Sequence, residues 1–187
     1  MSLFTCDKVI LDLCGGTGSW SKPYADAGYD VRVIDPKRDG QDVRLFHKPS
    51  KHVYGILAAP PCTVFASSGA RWPRTEQDYI EGLSVVDACL RLVTVCNPVF
   101  WALENPVGKL VRWLGKPQMY FQPCDYGDPY TKRTCLWGNF NKPIQNPVEP
   151  EQGSKMHLQY GGKSDRTKTA RSMTPPRFAV AFFNANR

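Results

Sequence analysis

The stretch Lys8-Val9-Ile10-Leu11-Asp12-Leu13-Cys14-Gly15-Gly16-Thr17-Gly18-Ser19-Trp20 decides the fold. Its first half, Lys8 to Leu13, is the short apolar run expected of a buried strand. Its second half is glycine-rich, which turns the chain tightly and lets backbone N–H groups approach a ligand. A helix is expected next, from about Ser19 to Ala27, ended by Gly28. Tyr29-Asp30-Val31-Arg32-Val33-Ile34-Asp35 then reads as a second strand with an acid at its carboxyl end. Together these form a βαβ unit. Asp35 follows the glycine turn at about the distance where such folds place a ribose-binding carboxylate.

The glycines do not follow GxGxxG, which counts against a dinucleotide. No GxxxxGK[ST] run is present, which counts against a nucleoside triphosphatase. A nucleoside cofactor without a phosphate chain needs no phosphate cradle, and S-adenosylmethionine is the common one. A plain tight turn is the competing reading, and Asp35 tips the balance toward a cofactor. Asp42, in Asp42-Val43-Arg44-Leu45-Phe46, reads either as a second acid near that cofactor or as a solvated loop acid.

A second apolar run, Ile56-Leu57-Ala58-Ala59, ends in Pro60-Pro61-Cys62. Proline cannot continue a sheet ladder, so the strand is expected to stop there. Cys62 becomes the first free side chain beyond the strand's carboxyl end, the edge at which open α/β sheets bind ligands. Taken alone, it is either a nucleophile or a buried structural thiol. Val99 to Leu103 is a further buried strand running into Glu104-Asn105-Pro106, a carboxylate on a proline-stopped turn. Glu104 reads as an acid or base at the same edge, or as a surface cap.

Between these strands, Thr63 to Arg74 carries Ser67, Ser68, Gly69, Arg71, Trp72 and Arg74. It reads as a mobile loop over the site, with arginines for phosphates and Trp72 for stacking, or as ordinary surface. Thr75-Glu76-Gln77-Asp78 opens a helix, and Ile80, Leu83, Val86, Leu90 and Val93 mark its core stripe up to Pro98. A short helix over Gly108 to Leu114, a strand over Gln118 to Gln122 and an antiparallel strand through Cys135 to Gly138 follow. Asn139 to Arg171 is polar and aperiodic, read as long loops or a small subdomain. Thr174-Pro175-Pro176 opens a last helix, Arg177 to Asn184.

The 187 residues are 42% hydrophobic, enough for one compact domain with a core. No run is long enough to span a membrane, and Met1 to Asp7 has neither a basic nor an apolar leader segment, so no signal peptide is expected. Seven scattered cysteines without a CxxC pair, and His47, His52 and His157 away from them, do not make a zinc site. Reduced thiols in a cytosol fit this pattern. The net charge of +7 suits a polyanionic partner such as nucleic acid, though many ordinary domains are mildly basic.

With Cys62 after Pro-Pro and Glu104 in Glu-Asn-Pro, the chain resembles the DNA cytosine-5-methyltransferase family from Val9 to Gly138, in the family's motif order. The resemblance implies an α/β, Rossmann-like class I S-adenosylmethionine-dependent methyltransferase fold, with a mostly parallel sheet and helices on both faces. It implies a single methyltransferase domain over 1–187, cytoplasmic in a bacterial or phage-infected cell. Asp12, Cys14, Gly16, Gly18, Trp20, Asp35, Asp42, Val43, Pro60 and Ser172 would serve the cofactor. Cys62, Glu104 and Arg133 would be catalytic, and Ser67, Arg71, Lys132 and Asn105 would touch substrate. No metal is implied.

The family's Glu-Asn-Val appears here as Glu104-Asn105-Pro106. Its Gln-x-Arg-x-Arg falls on Tyr130, Lys132 and Thr134 without a gap. A one-residue shift makes Arg133 the arginine, the first choice, with Lys132 second. Where the family carries a large target-recognition domain, only about 139–171 is present. That shortness points to a minimal, phage-like enzyme of loose specificity acting on DNA, alone, by self-association or with a separate recognition subunit. The same chemistry on RNA, single-stranded DNA or a free cytosine nucleotide remains open, as do a non-catalytic binding subunit and transfer of a group other than methyl.

Overall fold

The computed structural model describes residues 7–38, 40–160 and 164–187. The expectation of no signal peptide falls almost wholly outside the described residues, as do Cys6, the side chain of His157 and part of the 139–171 stretch.

Among the described residues the strands β1 (Val9–Leu13), β2 (Asp30–Ile34), β3 (Val53–Ala58), β4 (Phe100–Pro106), β5 (Met119–Phe121) and β6 (Thr134–Asn139) form one sheet in the order β2-β1-β3-β4-β6-β5. The first four in that order are parallel, and β6 runs antiparallel between β4 and β5. Leu13 is in register with Ile34 on one side and Ala58 on the other, and Ala58 with Leu103. The carboxyl ends of four strands therefore finish level, and Cys14, Asp35, Ala59 and Glu104 share one edge.

Strand alternation divides the core in two. Leu11, Leu13, Ile56, Ala58 and Leu103 meet α2 (Glu76–Cys96) and α3 (Val111–Leu114) on one face. Ile10, Leu57, Ala102 and Leu136 meet α1 (Lys22–Asp26) and α6 (Pro176–Ala185) on the other, through Tyr24, Phe178 and Phe182. Phe178 stacks on Phe121 at 3.8 Å between ring centroids. The expected Rossmann-like α/β architecture, with helices on both faces, is what the chain adopts.

Three elements differ from expectation. The first helix is only Lys22–Asp26, because Gly18 to Ser21 are used in turns and Pro23 occupies a first-turn position. In α2 the most buried seam is Val86, Cys89, Leu92 and Cys96; of the expected stripe Val86 is buried, Leu83, Leu90 and Val93 pack half-buried against the core, and only Ile80 stays out of it. The amino-terminal turns overhang the sheet edge, and Ile80 stays 53% exposed. Strand β4 does not stop at Glu104 but runs through Pro106, paired with Thr134 of β6. Strand β3 has already ended opposite Leu103, so the absent N–H of Pro106 costs no ladder bond on that side.

From 146 to 153 the chain is bonded along the body. Asn146 N–H donates to the Asp125 carbonyl and Val148 N–H to that of Cys124, both at 2.9 Å, and Thr131 N–H donates to Gly153 at 2.8 Å. Two helices follow, α4 (Lys155–Leu158) and α5 (Asp165–Ser172). No helix among the described residues is long and apolar enough to cross a membrane.

Candidate active site

The Cys62 loop is fastened to the strand that carries Glu104. The buried Asn105 side chain donates through Nδ2 to the Pro60 carbonyl at 2.9 Å. Past Cys62 the chain makes one turn, with Phe65 and Ala66 N–H groups donating to the Cys62 carbonyl at 3.0 and 2.9 Å. Ala66 then bridges Gly108, Ser67 N–H donates to Val107, and Lys109 N–H donates to Phe65 at 2.7 Å. Gly108 is required there, because a Cβ would run into the Phe65 carbonyl. Thiol and carboxyl are thus held by backbone on both sides.

Electrostatics tie the same groups together. Burial pushes the Glu104 carboxyl above its ordinary range, and the Lys132 ammonium pulls against it. Among the described residues, Glu104 Oε1 is buried without a hydrogen-bond partner. Such an atom costs free energy unless a ligand supplies the missing bond. Burial, and then Glu104, push the partly exposed Cys62 thiol up, while Lys132 and Arg171 lower it. A thiol activated in advance is therefore not what this site presents. Burial and the carboxyl favour the thiol form, and the two cations oppose them.

Next to it, the glycine turn is built around Asp12 and Asp35. Cys14 turns the chain out of β1 with a positive φ of 56°, donating its N–H to Ile34 at 2.8 Å. Gly16 N–H donates to Asp35 Oδ2 at 3.0 Å, so the acid at the end of β2 is bound to the turn at the end of β1. Asp12 is fully buried and accepts from the Ser21 hydroxyl. Burial pushes it up to about 6, against the lowering by Ser21 and Arg38. Gly15 packs so tightly on the Asp12 carboxyl that a Cβ would overlap it. Arg38 lies across Gly18. Ser19 Oγ donates to the Thr174 carbonyl at 2.8 Å, joining the turn to the start of α6. A carboxylate fixed beside bare backbone, with no phosphate cradle, fits a nucleoside.

Other sequence candidates fall elsewhere. Trp20 is 2% exposed and packs edge-on to Phe182 at 5.4 Å, so it supports the turn from within the core. The Asp42 carboxylate is engaged by the backbone and guanidinium of Arg44, which hold it low, and Val43 is buried against α2. Ser172 Oγ bonds back to Thr169 within α5, and it is Thr174 that reaches the glycine turn. Arg133, the first choice for the basic group, stacks over the Tyr120 ring at 5.1 Å. Lys132, anchored at 3.2 Å to the Met173 carbonyl, is the one whose charge bears on both Cys62 and Glu104. Adjacent residues entering a strand point to opposite sides, which separates the two. Ser67 and Arg71 are exposed on the loop, and Arg74 bonds back to Thr63 at 3.1 Å instead of pointing outward. Ser21, Arg38 and Thr174 carried no functional signal in the sequence, because each is defined by partners distant in the chain or by a turn, whereas Arg171 stands beside Ser172 in the stretch that resembles the family's last motif.

No protein-family profile and no curated protein matches the chain. Among solved structures, a candidate DNA modification methyltransferase encoded within an E. coli prophage matches with a TM-score of 0.53 at 18% identity, over 84% of this chain. The chain spans little more than half, 56%, of that neighbour. At this identity the likeness establishes the fold, in agreement with the sheet described above.

Proposed function

We propose that the chain is an S-adenosylmethionine-dependent methyltransferase that modifies C5 of cytosine in DNA through a covalent bond between Cys62 and C6. The observation that carries this reading is the fastening of the Cys62 loop to β4. It sets a thiol, a buried carboxyl with an unpartnered oxygen and the Lys132 ammonium together, beside a glycine turn bound to Asp35. The structural neighbour's DNA-modification role supports the same substrate class.

The glycine turn from Cys14 to Gly18 and Asp35 would hold the cofactor, which supplies a methyl group on a sulfonium. Cytosine C5 is a poor nucleophile in an aromatic ring. Addition of the Cys62 thiolate at C6 breaks the aromaticity and makes C5 an enamine-like carbon. Glu104, kept protonated by burial, hydrogen-bonds or protonates N3 and draws electron density away as the thiolate adds. Lys132 and Arg171 stabilise the thiolate as it forms, offsetting burial and the neighbouring carboxyl. The thiol proton passes to solvent as the sulfur adds. C5 would then bond the methyl carbon, with the S–CH3 pair staying on the cofactor's sulfur. Loss of the C5 proton to water with β-elimination breaks the Cys62–C6 bond and frees Cys62. In a duplex, the base must first leave the stack.

The test is transfer of radiolabel from S-adenosylmethionine to duplex DNA, single-stranded DNA, RNA and dCMP in parallel, with Cys62→Ala beside the native chain. Label at cytosine C5 of DNA, absent in the variant, is expected. Label that survives in Cys62→Ala, or appears in dCMP alone, would overturn the proposal.

A further inference from the structure

A groove at the same edge of the sheet takes no part in the chemistry above. It lies between the first turns of α2 and the residues leading into α3, and measures about 570 Å³. Tyr79, Ile80 and Leu83 form its floor and Trp113 one wall, with Lys109 and Arg112 on the rim opposite Glu76. Ile80 and Trp113 are 53% and 45% exposed, an unusual amount of bare apolar surface for one place. The wall is rigid. Trp113 packs edge-on to Phe65 at 5.8 Å and lies tilted against Tyr79 at 5.7 Å. Phe65 donates its N–H to the Cys62 carbonyl and accepts from the Lys109 N–H. The groove and the thiol are therefore built on one turn of chain.

We infer that this groove holds an unpaired nucleobase beside the target cytosine, which makes single-stranded DNA the preferred substrate. The inference rests on the DNA-modification reading of the Cys62 site. Aromatic faces with adjoining cations are what an unpaired strand requires, because bases stack on rings while phosphates meet the charges. A closed duplex offers its outside phosphates only and has no free base face for Trp113. The Lys109 ammonium donates to the Tyr79 hydroxyl, 5.1 Å from the ring centroid, and so sets a cation beside an aromatic ring inside the groove. Two further exposed pairs stand near the site, Arg71 over Trp72 at 5.4 Å and Arg133 over Tyr120 at 5.1 Å. Tyr120 is in register with Cys135, and Cys135 with Asn105, so this pair belongs to the catalytic edge. Residues 146–153, in contrast, are bonded down along the body. They do not project as a module of the ~600–1,000 Å² that even a small duplex-reading unit buries.

The experiment is fluorescence anisotropy with a labelled cytosine-containing oligodeoxynucleotide, single-stranded or annealed, without cofactor, at one fixed salt concentration. The native chain is expected to bind the single strand at least roughly tenfold more tightly than the duplex. Trp113→Ala should weaken single-strand binding by about 5- to 150-fold, the range of one lost base stack, and leave duplex binding unchanged. Trp113→Phe should restore most of it. Ile80→Ser, at an exposed position, gives a second reading in which the fold is not at risk, and thermal melts check both variants. Equal binding of the two forms, equal loss on both, or binding of neither overturns the inference. Trp113-dependent single-strand binding without label transfer to any substrate would retain the groove and remove the methyltransferase reading. Label transfer without single-strand preference would do the reverse.

Discussion

Asp12 and Glu104 are both buried carboxyls at the carboxyl-end edge of the sheet, and burial raises both. They differ in what the surrounding chain gives them. Asp12 takes the Ser21 hydroxyl, is covered by Gly15 and feels Arg38. Its bonding serves the protein itself and holds the glycine turn in shape. Each keeps one buried oxygen without a partner among the described residues, but the Glu104 side chain has no hydroxyl on its other oxygen, only one ammonium in its field and a thiol beside it. Equal burial thus leaves the two carboxyls differently held: the Ser21 hydroxyl pins Asp12 into the glycine turn, and no side-chain hydrogen bond among the described residues pins Glu104.

The sharpest way to break this comparison is Glu104→Gln. If the carboxyl donates a proton or hydrogen bond to the base, turnover should fall by roughly 100- to 10,000-fold. S-adenosylmethionine affinity by calorimetry should be unaltered and the melting temperature unchanged or raised. Loss of cofactor affinity instead would place Glu104 among the structural pins.

Asp12→Asn should act on stability and its pH dependence. Burial raises the folded-state value to about 6, from 3.8 for an ordinary aspartate. The unfolded chain therefore releases this proton first. Between those limits it binds fewer protons than the folded chain, so stability falls as pH rises through the window and the loss is complete above it. The drop attributable to Asp12 is ~3 kcal/mol. Urea melts from pH 4 to 7 should show it in the native chain and not in Asp12→Asn.

Asn105→Ala should loosen the fastening of Pro60, costing about 1–2 kcal/mol of stability, since the Pro60 carbonyl is left without its buried donor. A larger loss in kcat than in cofactor affinity would mark the fastening as a positioning device. The smallest effect is expected from Lys132→Met. Removing the ammonium pushes the Cys62 thiol further up. Iodoacetamide alkylation of Cys62 at pH 8 should slow by a few-fold, measured by mass spectrometry, whereas Arg133→Met should leave it near the native rate.

Strands β1, β3 and β4 were legible because they are buried on both faces and read as short apolar runs, and the half-buried edge strand β2 because Val31, Val33 and Ile34 follow the glycine turn at βαβ spacing. The level edge followed from them, and with it the association of Asp35, Cys62 and Glu104. The phase of α2 was not legible. Val85, Val86, Leu90, Leu92 and Val93 leave several faces equally apolar, and only the overhang of its first turns selects Cys89 and Leu92 for the sheet. Pro106 read as a stop because a proline's effect depends on which side of the strand has a neighbour. The choice between Lys132 and Arg133 needed the phase of β6. The Asn105 latch and the Ser19 to Thr174 bond join residues 45 and 155 positions apart, and neither leaves a periodic trace.

The antiparallel insertion of β6 also sets an order on the ribosome. The cysteine loop and β4 are made while β4 still has an open side. Leu136, which comes to lie opposite Glu104, is made well after it, as is Lys132. Chains fold broadly from the amino end as they are synthesised. The carboxyl therefore behaves as an ordinary solvated acid in the nascent chain and acquires its raised proton affinity only when β6 slots in. Both the Glu104 carboxyl and the glycine turn are thus closed off by late segments, β6 over the one and the α6 segment, through Thr174 and Phe182, over the other.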